Sequence, residues 1–292
     1  MRVIRYLNKE KQPRLAAVND RQEVCDLPDV DFLGLVERAK RLGKTPLAIV
    51  EEHFAAAAVR NSLDELTLLV PIEAKEVWAC GVTYERSKEA RNYEATSGKL
   101  DVATFYDKVY EATRPELFLK STAERTVGPE VPVYLRSDSR WQIPEPELGL
   151  VLDGDGTILG YTIGNDMSCR DIEGENPLYL PQAKIWKHSC AIGPAIRLAE
   201  TVTSAYDFQI VCRIYREEKL AFAEQAPVSQ LKRTLDELVA YLVKENIVFP
   251  GTVLLTGTCI VPPNEFTLQS GDRVEIEIPG IGLLRNPVES QS

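Results

Sequence analysis

The sequence predicts an α+β protein in two parts, a small N-terminal α+β unit over residues 1–71 and a sheet-rich domain over residues 72–292. Three observations carry this. Short alternating runs fill the chain up to Leu27 and give way to two helical patterns, the texture changes after Pro71, and β-like runs dominate from Val131 onward. At 292 residues the chain can bury a real core whether it forms one large domain or two modest ones.

In the N-terminal unit, Arg2 to Leu7, Arg14 to Val18 and Glu23 to Leu27 read as strands separated by charged turns. Asp31 reads as the N-cap of a helix with Phe32, Leu35, Val36 and Ala39 turned inward. Thr45 followed by Pro46 marks a second helix start, because proline is tolerated where the first helical N–H has no partner. Beyond Pro71, Val77 to Val82 is an apolar run, and Asp101 to Thr113 sets Val102, Phe105, Val109 and Ala112 at helical spacing. Further strands are expected at Val131–Leu135, 146–153, 157–164, 191–198, 207–215, 252–261 and 272–278. One amphipathic helix interrupts them, with Ser229 as N-cap and Leu231, Leu235, Leu238 and Leu242 on one stripe.

The formal charge of −10 repels polyanions, so neither a nucleic acid nor an anionic membrane is an expected partner. The charged start of the chain leaves no apolar stretch for a signal peptide, and no apolar span is long enough for a membrane, so a cytoplasmic protein is expected. The six cysteines contain no C-x-x-C pair and read as reduced, mostly buried small hydrophobes. His53 and His188 are too few for a His-rich metal site, which turns any metal toward oxygen ligands. His188 itself reads as structural.

The stretch "EPELGLVLDGDGTILGYTIGNDMSCRD" reads as a hairpin with acids at its outer end. Alternation puts Glu145 and Glu147 on one face and Leu148, Leu150 and Leu152 on the other. Centring the turn between Asp155 and Gly156 sets Glu145 opposite Asp166. Three converging carboxylates repel one another unless something positive sits among them. A hard divalent cation, Mg2+ with Mn2+ or Ca2+ as substitutes, answers that need, and so does Lys184 paired with a glutamate. The spacing leaves both readings open, along with the simpler one that the acids only solvate a hairpin rim.

The run "EPELGLVL…GYTIGNDMSCRD…AKIW…IGPAI", with "LLTGT" and "SGDRVEIEIPGIGLLRN" after it, resembles the fumarylacetoacetate hydrolase superfamily over about residues 72–288. The resemblance implies a mixed β-roll behind a small N-terminal domain, and a metal triad at Glu145, Glu147 and Asp166. It also implies a 2-oxo acid chelated to the metal through its carboxylate and ketone, a homodimer or homotetramer, and a role for Lys184 near the metal in adding positive charge or shuttling a proton. A Lewis acid on such a ketone makes the neighbouring carbon acidic.

The family's hydrolases carry a His and a Glu that activate water, within a "GxNYxxH" stretch and three residues beyond it. Here the matching stretch is "GVTYERSKEA", with Ser87 and Ala90 at those two positions, and Glu89 one place off. Glu116 in "RPELFLKST" and the loop "EGENPLYLPQAK" resemble instead the branch that dehydrates 2-keto-3-deoxy-pentonates, of the arabinonate or xylonate type, to 2,5-dioxopentanoate. That resemblance implies a lyase of a small 2-oxo sugar acid with Glu116 and Lys184 sharing the acid/base work. After loss of the C3 proton and the C4 hydroxyl, either a second dehydration at C5 or tautomerisation of the enol would complete the aldehyde. Arg86, Ser87, Lys120 and Thr258 are the expected substrate contacts, Lys120 either closing over the site or capping a strand. Hydrolysis of acylpyruvates or fumarylacetoacetate-type diketo acids by a rearranged dyad, and decarboxylation of oxaloacetate, are the alternative activities. Residues 84–122 are expected to close over the substrate.

Overall fold

The computed structural model describes residues 1–56, 61–96 and 105–290. Its helices are α1 (Phe32–Arg41), α2 (Pro46–Ala56), α3 (Glu85–Thr96), α4 (Phe105–Glu111), α5 (Arg170–Glu175), α6 (Leu180–Lys184) and α7 (Leu235–Val243). The longer strands are β1 (Arg2–Leu7), β2 (Pro13–Val18), β3 (Glu23–Leu27), β4 (Val77–Gly81), β5 (Glu116–Ser121), β6 (Pro146–Leu152) and β7 (Ile158–Asp166). They continue with β8 (Cys190–Leu198), β9 (Gln209–Arg216), β10 (Lys219–Pro227), β11 (Thr252–Leu255), β12 (Arg273–Ile278) and β13 (Gly282–Ser290). Among the described residues no helix is long and apolar enough to cross a membrane.

The main sheet runs β3-β2-β1-β8-β7-β6-β11-β4-β5. Most of its pairs are antiparallel, and β11 meets β4 in parallel. The first strand pairs with β8, Val3 opposite Ile196, so the sheet is continuous through the boundary expected at residues 71 and 72. A second sheet runs β10-β9-β12-β13 and ends on the short strand Val133–Leu135.

The main sheet is buried on both faces, and β6 shows why. Leu148, Leu150 and Leu152 meet Leu235, Leu238 and Leu242 of α7 and Ile276 and Leu284 of the second sheet. Val151, one residue out of step, belongs to a core with Val253 and Leu255 and with Phe32, Leu35, Val36, Ala39, Ile49 and Val50 of α1 and α2. The first helix is capped by Asp31, which accepts from the Gly34 amide at 2.8 Å.

The hairpin has the expected register at its acidic end: Pro146 faces Asn165, Glu147 faces Gly164, and the Asp166 amide donates to the Glu145 carbonyl at 2.9 Å. Its turn is centred on Asp155 rather than between Asp155 and Gly156. Asp153 and Thr157 close a three-residue loop with Gly156 at φ +89, and Leu159 bulges out so that Leu152 faces Ile158. The bulge absorbs this offset and restores the expected register.

Other expectations shift. The C-terminal helix is capped not by Ser229 but by Thr234, whose hydroxyl accepts from the Glu237 amide at 3.1 Å. Leu231 matches the stripe yet precedes the helix, in a segment whose Lys232 amide donates to the Thr83 carbonyl at 3.0 Å. The strand expected over 252–261 ends at Leu255, since Gly257 at φ +96 turns the chain. Of the helix expected over 101–113, residues 101–104 lie outside the described residues; α4 starts at Phe105, leaving Val109 half-buried and Ala112 exposed. All six cysteines are free, five of them buried.

Leu150 is fully buried at the centre of the hairpin, so Leu150→Ala should lower unfolding stability by about 2–5 kcal/mol in a denaturant titration. A loss below about 1 kcal/mol would mean that this face of the sheet is not a packed core.

Candidate active site

The outer end of the hairpin carries the chemistry. Alternation and register bring Glu145, Glu147 and Asp166 to one face, where a carboxylate oxygen from each lies within 4.8 Å of the others. All three are buried. Such a cluster forces one of two outcomes: neutralisation by protons, or cations placed among the acids.

Two of the acids have cations. Lys184, at the end of α6, donates to Glu145 Oε2 at 2.6 Å, Asp166 Oδ2 at 3.2 Å and Ser168 Oγ at 2.6 Å. Arg170 of α5 reaches Glu145 Oε1 at 3.2 Å. Lys120, on β5, sits 2.6 Å from Asp166 Oδ1. Burial pulls the Asp166 carboxyl upward, but Lys120 and Lys184 outweigh it and hold the group below its usual value.

Glu147 differs. It is 1% exposed, and its Oε2 accepts from the Gly257 amide. Burial, then the charges of Asp166 and Glu145, push its carboxyl well above the usual range. A carboxylate held beside two others with no ion-pair partner among the described residues suits a divalent cation, and an all-carboxylate donor set suits a hard ion. The residues therefore fit a metal: Glu145, Glu147 and Asp166 would hold it.

The "TGT" stretch explains the Glu147 contact. Gly257 has φ +96, and any Cβ there would collide with the Thr83 hydroxyl, which donates to the Thr256 carbonyl at 2.8 Å. Only glycine brings that amide to Glu147.

A narrow cavity opens beside the triad. Its walls include Gly81, Val82, Ser87, Arg91, Phe118, Lys184 and Thr258 besides the three acids. Val82 sits at φ +52, an uncommon conformation for a β-branched residue and one that clusters at functional sites. Glu116 lies next to the cavity, its carboxylate over Gly81 so closely that a side chain at 81 would displace it. Burial raises its pKa, with Arg91 pulling the other way, and Oε2 is buried without a hydrogen-bond partner.

The structure thus gathers Glu145, Glu147, Asp166, Lys184, Ser87 and Thr258 around one cavity, with Glu116 at its edge. Ser87 is buried and its hydroxyl donates to the Tyr84 carbonyl at 2.7 Å, while that of Thr258 donates to the Ile260 carbonyl at 3.1 Å. Two expected substrate contacts are placed elsewhere. Arg86 faces solvent, about half exposed and 3.6 Å from Glu89, because it follows the helix start on the outer side. Lys120 is fully buried behind Asp166 and takes no part in the cavity wall. His188 packs on Tyr134 at 4.5 Å, away from the cavity.

Sequence reasoning missed Arg91, which lines the cavity, is 3% exposed and pairs with the buried Glu173 of α5. Its signal was the spacing of four from Ser87, which puts both on one helical face. Gly257→Ala should lower the melting temperature by at least about 2 °C, from the strained φ and the contact with Thr83. An unchanged melting temperature would mean the chain relaxes there freely.

Comparison with known proteins places the chain in a family. The fumarylacetoacetate (FAA) hydrolase C-terminal family matches residues 87–289. The chain is 46% identical over 219 residues to a probable 2-keto-3-deoxyxylonate dehydratase of Haloferax volcanii, covering 75% of this chain and 74% of the relative. It is 43% identical over 229 residues to the 2-dehydro-3-deoxy-D-arabinonate dehydratase of Saccharolobus solfataricus, covering 78% of this chain and 76% of the relative. Among solved structures, 2-keto-3-deoxy-D-arabinonate dehydratase complexed with magnesium and 2,5-dioxopentanoate superposes with a TM-score of 0.83 at 34% identity, over 100% of this chain and 99% of that one. The acidic hairpin, the lysine-held triad and these matches together make the chain a member of the fumarylacetoacetate hydrolase family.

Proposed function

We propose that the protein is a Mg2+-dependent dehydratase that converts a 2-keto-3-deoxy-pentonate of the arabinonate or xylonate type to 2,5-dioxopentanoate. The observation that carries the reading is a buried carboxylate triad with one acid lacking an ion pair, next to a cavity edged by Glu116 rather than by a water-activating His and Glu. The names of the relatives and the ligands of the magnesium-containing neighbour support it.

Bound at the triad, the ion supplies Lewis-acid polarisation of the 2-oxo group, which acidifies C3. Mn2+ or Ca2+, which carboxylate oxygens also suit, would serve as substitutes. Lys184 has its donors spent on Glu145, Asp166 and Ser168; it stays an ammonium and offsets charge as the C3 proton leaves. Glu116 is the proton-transfer group. Its unpartnered oxygen takes the C3 proton and returns it to the departing C4 hydroxyl, which leaves as water. Substrate and product differ by one water, so a shift of the double bond toward C5 and tautomerisation of the enol, not a second dehydration, complete the aldehyde. Ser87, Thr258 and Arg91 line the narrow cavity and would meet the carboxylate and hydroxyls of the substrate.

The geometry disfavours a rearranged hydrolytic dyad. Ala90 offers no acid, and Glu89, the displaced candidate, is about half exposed and turned to Arg86. Assembly as a homodimer or homotetramer is expected from the family resemblance, and sedimentation tests it.

The test is product analysis by NMR after incubation with Mg2+ and 2-keto-3-deoxy-arabinonate or an acylpyruvate. Formation of 2,5-dioxopentanoate is expected; acylpyruvate cleavage with no dehydration would end the proposal. Glu116→Gln should lower kcat by roughly 10^2–10^4-fold. Because Glu116 must start deprotonated and its pKa is raised by burial, kcat/KM should fall with acid at a pH above the ordinary glutamate range. That acid limb should be missing from the residual rate of Glu116→Gln; its persistence would assign the base elsewhere.

A further inference from the structure

We propose that Lys120 is a positioning residue for the metal centre, locking Asp166 and the end of α6 so that Asp166 offers only Oδ2 to the cavity. This rests on the magnesium reading above.

Strand alternation lays Glu116, Phe118 and Lys120 along one face of β5. Phe118 lines the cavity and Glu116 edges it, but Lys120 falls one step deeper and is completely buried. An ammonium has three N–H donors. Two of those of Lys120 go to the Met167 carbonyl at 2.8 Å and to the Lys184 carbonyl, and the ammonium lies 2.6 Å from Asp166 Oδ1 as an ion pair, with the Trp186 ring 5.2 Å away. The ammonium is enclosed by these groups and does not reach the cavity wall. One side chain thereby ties three elements together: the strand bearing Glu116, the hairpin end bearing Asp166 and the helix end bearing Lys184.

The two oxygens of Asp166 are consequently unlike. Oδ1 is paired with Lys120 at 2.6 Å, whereas Oδ2 meets Lys184 at the longer 3.2 Å, on the lysine that also binds Glu145. An ion entering the triad competes with the weaker contact. The two lysines then have separate duties: Lys184 is a wall of the cavity and acts on the reacting molecule, and Lys120 acts only through Asp166 and the α6 terminus. A lysine that closed over the substrate would change substrate KM; one that orients a ligand changes metal affinity.

Calorimetric titration of Mg2+ into Lys120→Met, without substrate, tests this. The dissociation constant should rise about 10–100-fold over wild type in protein that is folded by circular dichroism. Excess Mg2+ should restore much of kcat, with substrate KM at saturating metal close to wild type. Folded Lys120→Met that binds Mg2+ as tightly as wild type would overturn the proposal. Wild-type protein that binds no Mg2+ would overturn the magnesium reading instead. Should Lys120→Met not fold, a crystal structure of Mg2+-loaded wild type decides: Lys120 Nζ should stay on Asp166 Oδ1 with the ion on Oδ2, and a bidentate Asp166 or a departed Lys120 would refute the assignment.

Discussion

Three buried carboxylates within a few ångströms of one another are the constraint from which the rest of the structure follows. Even after local relaxation, burying one unpaired ion costs several kcal/mol. The chain offsets most of this with Lys120, Lys184 and Arg170, and leaves Glu147 with a single backbone amide. That residual imbalance is what a divalent ion would remove. Full compensation by protein cations would have made the cluster a structural ion-pair network.

The fold keeps the cluster in place by burying the hairpin on both faces. With Leu148, Leu150 and Leu152 packed against α7 and the second sheet, and Val151 against the helical layer, a one-residue slip would turn leucines into the acidic face. Glycines serve the same end. Gly257 brings an amide to Glu147, and Gly81 leaves room for the Glu116 carboxylate, so the backbone around the cavity is fixed by the side chains it must admit.

The triad and its register were legible in the sequence because a strand has a period of two and an antiparallel pair fixes which residues meet. The turn is centred on Asp155, half a residue before the expected centre, yet the bulge at Leu159 restores the register before it reaches Glu145. The helices α1 and α2 were readable from Asp31, Thr45 and Pro46, whose capping chemistry is local. Helix α3 was not, because its buried face carries Ser87, Ala90 and Arg91 in place of an apolar stripe, and Arg86 was chosen where Arg91 lines the cavity. Strand β10, exposed along most of its length, gave no hydrophobic signal. The depth of Lys120 depends on how β5 lies against the hairpin, a long-range fact that spacing does not encode.

Glu147 is where the account is most exposed to refutation, since the buried carboxylate without an ion pair is what calls for a metal. Titration calorimetry of Mg2+ into wild type and into Glu147→Gln, with circular dichroism to establish that both are folded, addresses it directly. One Mg2+ site per chain in wild type and its loss in Glu147→Gln is the expected result. Equal binding by the two proteins, or none by wild type, would contradict the account.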